Sequence, residues 1–194
     1  IAVFREPMSF DALSEQGVVI DLLDELVEKG LARQADSENY DVHDLVREFL
    51  VRSMDSELKL ELHSRAVDWY RTRKGSPTDR IEFIYHLHSS DLIEELAEVL
   101  TNEGHGLVET GHTELLGILR ALDQDGFDAQ GWGVVRELRG NILSLQGRWD
   151  EAELEYDSAI TSAKKNRLGN QLARLYSARA DIAVKRGATD DALE

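Results

Sequence analysis

With no cysteine anywhere in its 194 residues, the chain must draw any acid–base or metal chemistry from six histidines and its many carboxylates. Lack of a thiolate removes disulfide frameworks, cysteine nucleophiles and sulfur-ligated metal sites. His86 and His88 are two apart in a helical stretch and so project in different directions, unlike an i, i+4 ligand pair. His105 and His112 stand beside glycine breaks, with no carboxylate or histidine in ligand register nearby. No metal site is expected. No Ser/His/Asp or paired-carboxylate arrangement rises above the acidic background, and no catalytic residue is assigned. Lys74-Gly75-Ser76 lacks the upstream glycine and the preceding strand of a nucleotide cradle.

His43 has a different setting. It lies in Tyr40-Asp41-Val42-His43-Asp44-Leu45-Val46-Arg47-Glu48-Phe49, between a hairpin pattern and a helix pattern. An imidazole there can donate to a phosphate oxygen, and the amides of a helix N-terminus add further donors. Asp44 is placed to favour that N-terminus. The alternative is purely structural, with His43 bonding the hairpin backbone and Asp44 capping the helix.

The elements that position these residues follow from periodicity. Ser9 with Phe10, Ala12 and Leu13 reads as a capped short helix, with Pro7 as punctuation. Val18, Val19, Leu22, Leu23, Leu26 and Val27 form an amphipathic stripe closed by Gly30. Leu31 to Ala35 and Tyr40 to Val42 flank the polar turn Asp36-Ser37-Glu38-Asn39, which predicts a hairpin. Leu45, Val46, Phe49 and Leu50 then resume helical spacing. This order of helix, helix and hairpin predicts a winged helix. A helix opened by Ser56 carries Leu58, Leu62, Ala66, Trp69 and Tyr70 on one face. Arg71, Arg73 and Lys74 lie at its end, where they complement the dipole or meet a phosphate, and Gly75-Ser76-Pro77 stops it.

Beyond Pro77 every pattern is helical: Ile81, Ile84 and Leu87; Leu92, Ile93, Leu96, Ala97 and Leu100; Leu115, Leu116, Leu119 and Leu122. Breaks are expected at Gly104-His105-Gly106 and at Gly111. Two longer helical hairpins follow from Gln130. There Arg139-Gly140-Asn141-Ile142 aligns with Arg179-Ala180-Asp181-Ile182 at an offset of 40 residues, which also pairs Gly147 with Gly187, Asp150 with Asp190 and Ala152 with Ala192. Small residues let antiparallel helices approach, the glycines end the first helix of each hairpin, and Trp149 and Tyr156 fill space between helices. Thr189 replaces Trp149 in the second copy.

Net charge is -16, from 38 acidic and 22 basic side chains. Such a surface repels nucleic acid and anionic membrane on average. The imbalance concentrates between Asp91 and Asp128, where Arg120 is the lone Lys/Arg; it reads either as a generally acidic surface or as a patch for a basic partner. There is no signal-peptide pattern and no apolar run near the ~20 residues of a membrane span, so a cytoplasmic location is expected. Starting at Ile1 and stopping at Glu194 within a helical pattern, the sequence reads as an excised fragment, whose end exposes an unstacked helix face.

The spacing of Gly140, Asn141, Gly147, Trp149, Ala152, Tyr156 and Ala159 resembles tetratricopeptide repeats, although the period exceeds their usual ~34 residues. Leu26-Val27-Glu28-Lys29-Gly30-Leu31 together with Tyr40 to Phe49 resembles the winged-helix segment of the STAND or NB-ARC family of signalling NTPases. That family carries Met-His-Asp at this strand-to-helix junction; here Val42 stands for the methionine. The resemblance implies that His43 faces a nucleotide held by a preceding P-loop domain and that Asp44 holds the junction. It implies a mainly α fold in three parts: a winged helix with a small β-hairpin over 1–75, degenerate helical pairs over 76–128, and an α-α superhelix of tetratricopeptide-like hairpins over 129–194.

The function expected is a non-catalytic regulatory and interaction fragment of a STAND-type ATPase. Its winged helix would pack on the parent's own nucleotide-binding domain, its repeats would sense or scaffold a protein, and ATP or ADP would belong to the parent. A DNA-binding winged-helix regulator with a repeat effector is the alternative, but Asp21, Asp24, Glu25 and Glu28 against Lys29 make a poor recognition helix. A stand-alone adaptor predicts the same surface.

Overall fold

Side chains of Ser9, Asp55, Ser76 and Asp128 cap four helix starts, and left-handed glycines follow several helix ends, in this chain, of which the computed structural model describes residues 1–73 and 75–187. The described elements fall into two units, Ile1–Asp91 and Leu92–Glu194.

In the first unit Met8–Ser9 forms β1, and the Ser9 side chain accepts from the Ala12 N–H to start α1, Phe10–Glu15. Helix α2 spans Ile20–Glu28, and β2 (Ala32–Gln34) and β3 (Asn39–Val42) make the hairpin expected from the sequence. Its turn is pinned by the Asp36 carboxylate, which accepts the Glu38 and Asn39 backbone N–H groups at 2.9 Å each. The small sheet has the antiparallel order β1-β3-β2; β1 adds a strand that two residues beside Pro7 cannot announce by alternation.

Asp44–Ser53 forms α3 and Ser56–Arg71 forms α4, the latter capped by Asp55. Helix α5, Pro77–Ser89, starts with a reciprocal capping box between Ser76 and Asp79 and with Pro77 in its first turn. Phe4, Leu13, Leu23, Ala66, Tyr70, Ile84 and Leu87 supply buried core. Two predicted stripes behave otherwise. On α2 only Leu23 is buried, and on α3 no residue is. Periodicity made these helices; it did not bury their faces within this unit.

The second unit contains α6 (Ile93–Glu109), α7 (Leu115–Ala121), α8 (Ala129–Leu145), α9 (Trp149–Lys165) and α10 (Gly169–Lys185). The break expected at Gly104-His105-Gly106 does not occur, because all three residues lie inside α6. Gly104 instead marks a helix crossing: a Cβ there would sit 2.6 Å from Leu138 Cδ1 of α8. Gly111 does end its segment, in the left-handed region at φ +94°.

Helices α8 and α10 start 40 residues apart, have the same length, and are followed by Gly147 and Gly187 at φ +73° and +77°. Val135 and Ile142 of α8 and their counterparts Leu175 and Ile182 of α10 are all sealed from solvent. Gly140 allows the closest approach of α8 to α9, since a Cβ would meet Tyr156 Cε1 at 2.4 Å. Tyr156 fills that space as expected, while Trp149 is only half-buried. Lys74, Thr189, Asp190 and Ala192 lie outside the described residues. Where the sequence suggests segments 1–75, 76–128 and 129–194, the fold gathers α5 with α4 and the two units part after Asp91. Among the described residues no helix is long and apolar enough to cross a membrane.

Candidate functional site

The turn from β3 into α3 is held from beneath. Asp41 and Val42 are buried at the end of β3. Asp41 accepts the Val42 N–H at 2.7 Å, pairs with Arg33 across the hairpin at 2.8 Å, and takes the Arg47 guanidinium on its other oxygen. Arg47 also donates to the Arg5 carbonyl at 3.0 Å. Burial works against the Asp41 charge, but the Arg33 hydrogen bond, the Val42 N–H and the Arg47 charge outweigh it and hold the carboxyl below its usual range.

This staple turns the next residue outward. His43 is the exposed N-cap of α3, and its side chain makes no capping hydrogen bond. The first amides of a helix have no intrahelical acceptor, so His43 heads a short row of outward-facing donors. Asp44 is the first helical residue, its carboxylate open to solvent and 3.8 Å from Arg47. It adds negative charge near the helix N-terminus without capping it. Leu45 and Phe49, one turn apart on α3, are 82% and 69% exposed. The junction therefore presents an imidazole, a helix N-terminus and an apolar ridge together. It can contribute one phosphate contact and a packing face; it has no cradle of its own.

Arg71 and Arg73 at the end of α4 are engaged locally. Arg71 pairs with Asp68 at 2.5 Å, and Arg73 lies over the Trp69 ring and 3.3 Å from Glu15. Four of the remaining histidines have neighbours that spacing did not reveal, while His88 Nδ1 is buried without a hydrogen-bond partner among the described residues. His63 and His86 meet between α4 and α5 with their Nδ1 atoms 2.8 Å apart. His112 contacts Glu114 at 2.8 Å, and His105 of α6 lies 3.6 Å from Glu137 of α8, so carboxylates do stand near both. Among the described residues no group of three His, Cys, Asp or Glu is placed to hold a metal ion.

In the second unit the polar seam centres on Glu137, a buried residue that accepts from Arg174 of α10 at 2.9 and 3.1 Å. Arg139, also buried, donates to the Leu119 and Leu122 carbonyls at the end of α7. Its repeat counterpart Arg179 is half-exposed and pairs with Asp157 instead. The seam joins helices; it contains no arrangement of nucleophile and base.

No family model matches the chain, and no curated protein matches it. Among solved structures, a Signal Transduction ATPase with Numerous Domains (STAND) protein with a tetratricopeptide repeat sensor, from Pyrococcus horikoshii, is similar over 96% of this chain and 31% of that one, at 18% identity and a TM-score of 0.55. The likeness shows the fold, a mainly helical chain with tetratricopeptide-like helical pairs. The chain spans just under a third of the length of that protein.

Proposed function

We propose that this chain is a regulatory and protein-interaction part of a STAND-type ATPase and is itself non-catalytic. On this reading β1, α1, α2 and the β2–β3 hairpin form a winged helix that, with α3, packs on a nucleotide-binding domain. His43 senses the nucleotide that domain holds, ATP or ADP, and the helical pairs of the second unit act as sensor or scaffold. The observation that carries the reading is α3: it buries none of its residues within its own unit, and it exposes Leu45 and Phe49 beside an outward-facing His43. Large apolar side chains gathered on one exposed face mark a surface meant to be covered.

The test is nucleotide retention in the full-length ATPase. His43→Ala is expected to speed ADP release about tenfold, the loss of one charge-assisted hydrogen bond. Leu45→Glu with Phe49→Glu is expected to raise basal ATP turnover by detaching α3 and the winged helix from the nucleotide-binding domain. Unchanged ADP release and turnover in both variants would sink the proposal. DNA reading is not favoured, because Asp21, Asp24, Glu25 and Glu28 lie exposed on α2 and would face the phosphates.

A further inference from the structure

Two clefts of the second unit adjoin at Gln130. The first, about 460 Å³, runs between α6 and the start of α8 and is lined by Glu94, Glu98, Thr101, Asn102 and Asp128. The second, about 250 Å³, is lined by Asn170, Gln171 and Arg174 at the start of α10. Every ionised side chain lining the first cleft is acidic. Glu94 and Glu98 are exposed and one turn apart on α6. Like charges so placed repel each other, and among the described residues neither has a cationic partner. Asp128 caps α8, its carboxylate accepting the Gly131 N–H at 2.6 Å.

The second cleft makes an independent demand. Gln171 is only 4% exposed, and its carboxamide lies over Gly133, where a Cβ would come within 2.5 Å of it. Its Nε2 donates to the Gln130 carbonyl at 3.3 Å, but among the described residues its Oε1 has no hydrogen-bond partner. Flipping the amide would set oxygen against that carbonyl, so the orphan atom is the acceptor. The two hydrogen bonds of Arg174 beside it go to Glu137 and not to Gln171 Oε1. A buried acceptor left unpaired costs stability until a donor arrives. One cleft thus calls for positive charge and its neighbour for an N–H donor.

We propose that the joined clefts bind a basic peptide segment. An Arg or Lys side chain sits against Glu94 and Glu98, and an N–H of the same peptide reaches Gln171 Oε1. This rests on the reading of the repeats as an interaction surface. Its failure would leave the His43 test untouched, so the two fail separately.

Fluorescence anisotropy of the whole chain tests it, with a labelled nonapeptide of alternating Arg and Gly and a second of alternating Glu and Gly as probes. The Arg peptide is expected to bind and the Glu peptide not to bind. Glu94→Gln with Glu98→Gln should weaken binding about tenfold, whereas Asp24→Asn with Glu28→Gln, an equal change of charge on α2, should change it by less than about twofold. Gln171→Leu should weaken binding about threefold to tenfold with the charge unchanged. Equal losses in the two charge variants would mean diffuse attraction to an acidic protein and would overturn the proposal. So would no effect of Gln171→Leu, or no binding of the Arg peptide at low ionic strength.

Discussion

His63 and His86 share one hydrogen bond, Nδ1 to Nδ1 at 2.8 Å, in the buried seam between α4 and α5. One ring donates and the other accepts, which requires the accepting ring to be neutral. Phe4, Tyr70 and Tyr85 surround His86, whose Nε2 has no hydrogen-bond partner among the described residues. Burial, reinforced by the nearby charges of His88 and Lys59, lowers the His63 pKa from 6.5 to about 4. Burial, with His63, Arg5 and the Ile1 amine, holds His86 well below its usual value.

Both folded-state values lie below the unfolded one, so stability is full above pH 6.5 and is lost as pH falls toward 4. At about 1.4 kcal/mol for each tenfold change in proton affinity, the fall from 6.5 to about 4 makes His63 alone cost roughly 3 kcal/mol by pH 4. Urea midpoints followed by tryptophan fluorescence should decline from pH 6.5 downward. His63→Leu with His86→Phe should flatten that decline above pH 5, where carboxylates contribute little. An unchanged slope would assign the acid sensitivity to other groups.

Glycines in two helices should respond to alanine with opposite signs. Gly140→Ala drives a methyl into the Tyr156 ring, which is fully buried and bonded through its hydroxyl to Asn141 at 2.8 Å. Overpacking of this kind costs about 1–3 kcal/mol and outweighs the helix-propensity gain. Gly117 of α7 has nothing within 4 Å of its Cβ position. Gly117→Ala should therefore stabilise by about 0.5–1 kcal/mol. Thermal midpoints of the two variants on either side of the parent would confirm this.

Removing Arg174 should leave the Glu137 carboxylate buried without its main counterion. Arg174→Leu is expected to cost about 2 kcal/mol, less than the 3–5 of a sealed pair, because solvent reaches the arginine. Adding Glu137→Gln should restore most of that loss. A double-mutant cycle in urea reads the coupling directly, and additive effects would show that the pair contributes nothing.

Leu45→Glu with Phe49→Glu should leave the stability of this chain within about 0.5 kcal/mol of the parent, since neither side chain is buried. Sedimentation should show less concentration-dependent self-association. A loss of several degrees in melting temperature would mean that α3 packs within the unit after all.

Local grammar carried much of the architecture. Ser9 and the turn built on Asp36 announce their elements because the interactions span three residues or fewer, whereas Ser76 and Pro77, read as a helix stop, also open α5 through the box with Asp79. The 40-residue offset was legible for the same reason: each copy repeats its own helix stop. What escaped depends on distant partners. Gly104 reads as a break until Leu138 crosses over it, and His63 reads as ordinary until His86 arrives from the next helix. The placement of His43 at a strand-to-helix junction could be read. The bareness of α3 could not, because a stripe reports which side is apolar and not what covers it.

The matched helices α8 and α10 make length a quantised property of the second unit. Excising forty residues would bring Leu175 and Ile182 to the positions of Val135 and Ile142 with helical phase intact. Adding or removing a single residue within α8 rotates its apolar side by about 100° and spoils the stack. Such a stack is a ruler with one graduation, lengthened or shortened in whole repeats.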